Sequence, residues 1–362
     1  MARAQGYAEV FVNPADIGGR FSALSLFGLV PAALIGAPVE AILNGGATMA
    51  EGCRQSNHAN AGLELGAFIA AAALEGRDKL TVALAPRLAS LGLWIEQLVA
   101  ESTGKHGKGS LPVVDEPLGG PDAYGNDRAF VAVSSESEHV DEQALAALEA
   151  AGHPVLRLST RIDGLGAEFF RWEFATAVAG AALGINPFDE PNVSEAKEKT
   201  KVLLGKYTSA GRFDDTRVDE STTVGELRTT FAHLQPPDYV AFLSYLPADR
   251  HVEEAIREIR VSLRGNKKVA STFGVGPRYL HSTGQYHKGG PNTCVAVVIT
   301  ADDDSRTEIP EAGYSFAVLK RAQALGDVEA LRAHNRRVVR IDLGNTTDAA
   351  VALRRIFEDA LG

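Results

Sequence analysis

The sequence has 362 residues, more than one hydrophobic core ordinarily serves, and its 45% hydrophobic and 23% charged residues are those of an ordinary globular chain. A formal net charge of −10 excludes a nucleic-acid surface built on clustered Lys and Arg, and the longest apolar run, Phe68 to Leu74, is too short to span a bilayer. Two cysteines, Cys53 and Cys294, lie far apart with no CxxC spacing, which argues against a disulfide framework or a zinc site.

In chain order, Val10 to Val12 reads as a short strand, Asp16 to Arg20 as a turn and Phe21 to Ile35 as an apolar helix. An edge strand and glycine turn so close to Met1 lead to the expectation that something precedes this segment. The opening residues have no signal-peptide pattern, and a cytoplasmic protein is the expectation. Gly62 to Glu75 is a small-residue helix stopped by Gly76. Strands follow at Leu80–Ala85, Leu111–Val114, Ala129–Val133 and Val155–Leu158, with helices at Pro86–Ala100, Asp141–Ala151, Glu168–Leu183 and Val193–Leu204. This alternation predicts an α/β fold with a parallel sheet covered by helices on both faces. Residues 205–238, rich in Thr, Asp, Gly and Arg and closed by Pro236-Pro237, read as a linker. A second α/β unit follows, with strands Val240–Tyr245, Val269–Phe273, Cys294–Thr300 and Val338–Asp342 and helices His251–Leu263, Tyr314–Leu325 and Thr347–Leu361.

Four segments carry groups able to do chemistry. Gly18-Gly19-Arg20-Phe21-Ser22 places paired glycines and a planar cation before a helix, which suits an anionic oxygen, although a plain strand-to-helix turn fits as well. Glu101 ends the apolar stripe Leu91, Trp94, Leu98, whereas Glu96 points the other way. Partial burial would raise the Glu101 pKa into a range useful for proton transfer; a solvated carboxylate at a frayed helix end is the alternative. Asn192 and Glu195 resemble a capping pair that would set Lys197 in the first turns of a helix, as a proton exchanger or as a surface lysine. The loop from Gly276 to Asn292 gathers Arg278, His281, Gln285, His287 and Lys288 between two strands, which favours a polar small-molecule site. The His281 to His287 spacing fits no metal pattern.

These segments, in this order, resemble the glucose-6-phosphate isomerase family, and most of all the isomerase portion of bacterial fused transaldolase/glucose-6-phosphate isomerase proteins. Gly18 to Ser22 with Gly28-Leu29 looks like the family's Gly-Gly-Arg-aromatic-Ser signature, and Glu101-Ser102-Thr103-Gly104-Lys105 matches its Glu-Ser-x-Gly-Lys motif. Ile185 to Asp189, continuing through Val193 to Lys197, is similar to its Asn-x-Phe-Asp segment ending in a catalytic lysine. The resemblance covers roughly residues 8–204, and the fused subgroup accounts for the rest. It implies a sugar-isomerase (SIS, flavodoxin-like) three-layer sandwich, with a second C-terminal α/β unit. Residues 1–45 would end a preceding sugar-isomerase domain, 46–204 form a sugar-isomerase domain, 205–238 a linker and 239–362 the C-terminal domain.

Glu101 would move the proton between C1 and C2 through a cis-enediol, Arg20 would stabilise its charge, and Lys197 with a histidine would open the ring. His281-Ser282-Thr283-Gly284-Gln285 looks like the family's His-Ser-x-x-Gln loop, displaced into the C-terminal unit, so His281 is the first choice and His287 the second. Gly18, Gly19, Ser102, Gln285 and His287 would contact substrate. No metal or other cofactor is implied. The partners would be glucose 6-phosphate and fructose 6-phosphate, together with a missing N-terminal half or a transaldolase domain. Neither nucleic acid nor membrane is expected, and homo-oligomerisation stays open. The family's Ser-Lys-Ser-Gly-Thr-Thr phosphate loop does not occur here, so little turnover by this chain alone is expected, and a non-catalytic sugar-phosphate-binding module or an inactive fragment is the competing reading.

Overall fold

The computed structural model describes residues 2–362 apart from 57–59, 162–163, 304 and 306. Two four-stranded sheets, all parallel, organise the chain. The first comprises β1 (Lys79–Leu84), β2 (Leu111–Val113), β3 (Arg128–Ser135) and β4 (Val155–Thr160), in the order β2-β1-β3-β4. The second repeats that order as β6-β5-β7-β8, from β5 (Tyr239–Ser244), β6 (Ala270–Val275), β7 (Cys294–Thr300) and β8 (Arg337–Asp342). Buried parallel strands read as near-continuous apolar runs, and β7, Cys-Val-Ala-Val-Val-Ile-Thr, is buried at every position.

Alternation along each strand distributes the core. In β3, Ala129, Val131 and Val133 face α3 (Ala61–Leu74), α4 (Leu91–Thr103) and α6 (Leu165–Leu183). Phe130, one residue out of phase, turns to the other face and packs with Tyr124 and with Leu148 of α5 (Glu142–Ala150). Each fully buried Val or Leu contributes about 1.5–3 kcal/mol relative to exposure. The second sheet is covered on one face by α8 (Glu220–Ala232), α9 (Arg250–Lys267) and α12 (Ala349–Leu361). Its other face, with Tyr239, Ala241 and Leu243, meets α10 (Gly284–Gly289), α11 (Phe316–Ala333) and the first unit's Ala100, Leu111 and Val113. The two units therefore share a core. No helix among the described residues is long and apolar enough to cross a membrane.

The departures from expectation have local causes. Residues 10–12 form no strand, and the predicted helix from Phe21 splits into a 3-10 turn, Gly19–Phe21, and α1 (Leu26–Leu34). Ser22 Oγ donates to Gly19 O at 2.6 Å, and Ser25 Oγ accepts from Phe27 N at 3.2 Å, so serines end one element and cap the next. Pro86–Leu88 is likewise a 3-10 turn before α4. Helix α2 (Val39–Cys53) went unread because Gly45 and Gly46 lower its propensity. Glycine at the crossing is needed there: a Cβ on Gly166 of α6 would stand 1.7 Å from Ile42 O of α2. The expected linker 205–238 is mostly helical, since α7 (Val193–Ala210) runs into it and α8 buries Leu227 and Phe231 in the second core.

Candidate functional site

The site is assembled where α4 ends. Glu101 lies in its last turn, with Ala100 wholly buried against the shared core and Ser102 wholly buried beside it. The following turn is pinned from the second unit: a Cβ on Gly104 would stand 2.4 Å from Tyr286 Cα of α10. Only glycine admits that approach.

Arg20 reaches this turn from the 3-10 segment and is 4% exposed. Its Nε donates to Ser102 Oγ at 2.8 Å and its Nη2 to the carbonyls of Pro187 and Asp189, each at 2.9 Å. Nη1 donates to Glu190 Oε2 at 2.9 Å and stands 3.6 Å from Glu101 Oε1. Arg20 thus ties α4 to the 187–190 loop while holding a positive charge beside Glu101 without a hydrogen bond to it.

Burial pushes the Glu101 carboxyl up from its ordinary value, and the pull of Arg20 in the other direction does not offset it. Gln97, one turn earlier, donates through Nε2 to Glu101 Oε2 at 3.2 Å and to His281 O at 2.8 Å. That amide joins the carboxylate to the histidine loop across the two units. His281 is exposed; partial burial and then the charges of Lys197 and Lys288 lower its pKa. Lys197, also exposed, therefore acts on the same corner as His281. The structure brings Arg20, Glu101, His281 and Lys197 to one side of the molecule from four separate stretches of sequence.

Other expected site residues serve differently. Ser102 is buried and accepts from Arg20, which makes it a support for the arginine instead of a substrate contact. Gln285 is wholly buried: its Nε2 donates to Gly104 O at 2.9 Å and Asn192 Oδ1 at 2.8 Å, and its Oε1 accepts from Asn192 N at 2.9 Å. Its amide is used up as a clamp. The same bonds overturn the Asn192–Glu195 capping pair, because Asn192 turns to Gln285 and Glu195 Oε2 lies 2.7 Å from His334 Nε2. His287 is 1% exposed, with Nδ1 2.8 Å from the Tyr239 hydroxyl. Burial, aided by the charges of Lys288 and Arg336, lowers its pKa to about 3, which favours a neutral ring near neutrality, with Nδ1 engaged by Tyr239. Gly18 and Gly19 face open space, where an added Cβ would meet nothing.

Lys105 is a member that sequence reasoning quoted but did not single out. It is 1% exposed, and Nζ donates to Asn186 O at 2.6 Å, to Asp189 Oδ1 at 2.7 Å and to the Asp189 carbonyl. Its burial lowers its pKa, which Asp189 resists. Its place directly after Ser102-Thr103-Gly104 was the available signal. Among the described residues no group of His, Cys, Asp and Glu is arranged to hold a metal ion.

No family model matches the chain. It is similar to the glucose-6-phosphate isomerase of Rubrobacter xylanophilus, 34% identical over 242 residues that make up 53% of this chain and 54% of that protein. The glucose-6-phosphate isomerase of Heliobacterium modesticaldum is 31% identical over 256 residues, 57% of this chain and 55% of the relative. The chain spans about half the length of the curated relatives it matches. Among solved structures, a hypothetical protein from Thermus thermophilus superposes at a TM-score of 0.30 and 12% identity, over 94% of this chain and 92% of that one. The C-terminal domain of glucosamine-fructose-6-phosphate aminotransferase from Francisella tularensis does so at 0.25 and 9%, over 89% and 94%. Superpositions this loose carry no weight, and the fold rests on the sheet order given above.

Proposed function

We propose that the chain supplies the proton-transfer side of a glucose-6-phosphate isomerase, interconverting glucose 6-phosphate and fructose 6-phosphate. The observation that carries this reading is the buried Glu101, raised in pKa, with the Arg20 guanidinium 3.6 Å away and hydrogen-bonded elsewhere. The relatives' names support the substrate class. In the open-chain aldose, the Glu101 carboxylate takes the C2 proton. The C–H electron pair forms the C1=C2 double bond of a cis-enediol while the carbonyl oxygen on C1 gains a proton. Glu101 then returns its proton to C1 as the O2 proton leaves, which gives the ketose. The positive charge of Arg20 lowers the energy of negative charge on the enediol oxygens. Lys197 and His281, adjoining on the exposed side, would shuttle the ring-opening proton.

The phosphate of the substrate has no such provision here, since no Ser/Thr-rich phosphate loop is present in the sequence. We therefore propose that the isolated chain turns over little or not at all, and that a sugar-phosphate-gripping half completes it. The exposed apolar side chains Phe27, Leu34 and Ile35 on and just after α1, a helix that buries none of its residues, support a docking face for that half. A coupled dehydrogenase assay on the purified chain tests this; robust conversion of fructose 6-phosphate would refute dependence on a second half. In a longer, active protein, Glu101→Gln is expected to cut turnover by about 10²–10⁴-fold with substrate binding largely kept. Near-normal turnover would remove Glu101 from the role of base.

A further inference from the structure

Glu96 lies on α4 little more than one turn before Glu101, on the other side of the helix. It is 5% exposed and, among the described residues, has neither hydrogen bond nor ion pair. It lines a cavity of about 890 Å³ between the two units. Cavities of roughly 300–1,000 Å³ accept metabolite-sized ligands.

The place of this cavity in the fold is informative. One wall is Val82 to Leu84, the end of β1, and another is His139 to Asp141, the loop after β3. The chain leaves β1 toward β2 on one side and β3 toward β4 on the other, so the gap between β1 and β3 is the switch point of the sheet. Open parallel sheets bind ligands at that point, beyond the carboxyl ends of the strands. The opposite wall comes from the second unit, through Phe273 and Val275 of β6, Arg278 and α9.

The charges facing Glu96 are unevenly matched. On α9, Arg257 is paired with Asp115 at 2.6 Å and Arg250 with Glu254 at 2.8 Å. Glu116, after β2, is paired with Arg128 at 3.1 Å and with Arg264 at 3.6 Å. Arg260 is buried and donates to the carbonyls of Val114 and Ser271, each at 2.9 Å, but has no carboxylate within ion-pair distance among the described residues. Arg278 is exposed and has no hydrogen-bond or ion-pair partner among the described residues. Glu96 thus feels two guanidinium charges, of which Arg260 also has Glu116 and Asp115 acting on it while Arg278 is unpaired among the described residues; His139, Asp141 and Glu253 also line the cavity.

We propose that this cavity is a second ligand site, distinct from the Glu101 centre, which binds a small organic anion through Arg278 and the Glu96 carboxyl, with its body against Val82, Val114, Ile256 and Phe273. Phosphate esters and polycarboxylates share that chemistry. Burial raises the Glu96 pKa to about 7 despite Arg260 and Arg278, so near neutrality much of it is a neutral hydrogen-bond donor. An anion selects that protonated form, and binding is tighter on the acid side.

The test is calorimetric titration of the full chain with citrate, glucose 6-phosphate and inorganic phosphate, at about pH 6 and about pH 8, either side of the Glu96 value. At least one organic anion is expected to bind saturably, with Glu101→Gln leaving affinity unchanged and Arg278→Ala weakening it about tenfold or more. Citrate alone would identify a carboxylate site; glucose 6-phosphate in competition with inorganic phosphate would identify a phosphate site. Once the protonation of each probe is allowed for, affinity is expected to fall about severalfold toward the higher pH, and Glu96→Gln to remove that remaining dependence. Because His139 also lines the cavity, this comparison, and not the pH profile alone, assigns the effect to Glu96. No binding by any probe, binding indifferent to Arg278→Ala and Glu96→Gln, or binding lost in Glu101→Gln would each overturn the proposal. Arg278 is exposed, so its removal leaves folding intact and the result readable.

Discussion

The two sheets share a strand order, but one carboxylate beside each, Asp215 and Glu101, responds to neighbouring arginines in opposite ways. Beyond the second sheet, Asp215 accepts from Arg321 at 2.5 Å and from Arg340 at 2.7 Å, and Asp342 accepts from Arg321 at 2.9 Å. Burial would raise the Asp215 carboxyl, but the hydrogen bonds from Arg340 and Arg321 outweigh it and hold the group below its ordinary value. Around the first sheet, Glu101 also has an arginine, yet its carboxyl is raised. The difference is not the presence of a cation but where the cation's donors go. Arg20 spends its N–H groups on Ser102, Glu190 and two carbonyls and offers Glu101 only charge across 3.6 Å. Charge at that distance is a weaker stabiliser than a direct charge-assisted hydrogen bond, and desolvation wins. At Asp215 the direct hydrogen bonds make the carboxylate a brace; at Glu101 desolvation prevails and the carboxyl stays raised.

The largest expected effect comes from unmatching a buried charge pair in the second unit. Asp327 on α11 accepts from Lys288 Nζ at 2.8 Å and from the Tyr279 hydroxyl at 2.6 Å, with the ion pair almost wholly buried. Asp327→Ala strands a buried ammonium and is expected to cost about 3–5 kcal/mol in denaturant unfolding. Removing both charges, as Lys288→Met with Asp327→Leu, is expected to recover much of that loss, because the cost lies in the unpaired charge. A single variant as stable as the parent would show that this unit does not depend on matched charges.

A smaller effect is expected at Asp215, where the pair is nearer solvent. Asp215→Ala is expected to cost about 1–2 kcal/mol near neutrality, because Arg340 loses its carboxylate while Arg321 keeps Asp342. The folded-state pKa is depressed, so the stabilisation is full above the unfolded value and fades as pH falls through the folded one. Parent and variant should therefore converge in acid. A gap that stays constant with pH would locate the effect in packing.

Sequence reasoning recovered the strands of both sheets because buried parallel strands need apolar side chains on both faces, as in Val295 to Ile299. It singled out Arg20, Glu101, His281 and Lys197 as candidates because each lies in a short segment of unusual polarity beside glycine, serine or a helix start. It missed α2 and α8, whose residues signal helix weakly on their own and are held by tertiary contact, Gly166 against Ile42 and Phe231 against Phe357. It also mistook clamps for contacts. Gln285 and Ser102 have the polarity of ligand-binding residues, and only the positions of Gly104, Asn192 and Arg20 reveal that their hydrogen bonds are already made. Glu96 is the converse case. Helical phase gave its face, but its burial without a hydrogen bond or ion pair among the described residues depends on a wall supplied by α9, some 160 residues further along the chain.

The finest test of the comparison is at Glu190, the residue that draws Arg20 away from Glu101. Glu190 Oε2 accepts from Arg20 Nη1 at 2.9 Å, its side chain is 45% exposed, and its charge adds to those raising the Glu101 carboxyl. Glu190→Gln keeps an acceptor for Arg20 but removes the negative charge. Two consequences point the same way: the repulsion on ionised Glu101 disappears, and Glu101 becomes the one carboxylate within ion-pair distance of Arg20 among the described residues. The Glu101 pKa is therefore expected to fall toward its ordinary value, and only slightly, because half-exposed charge is screened. NMR titration of the Glu101 carboxyl carbon reads this in the isolated chain and needs no turnover. In an active longer protein, the acid limb of the pH–rate profile should move down by the same amount, since the base is competent only when ionised. An upward shift would mean that Glu190 holds Arg20 in place for Glu101 instead of competing for it, and the contrast between the two units would then rest on distance alone.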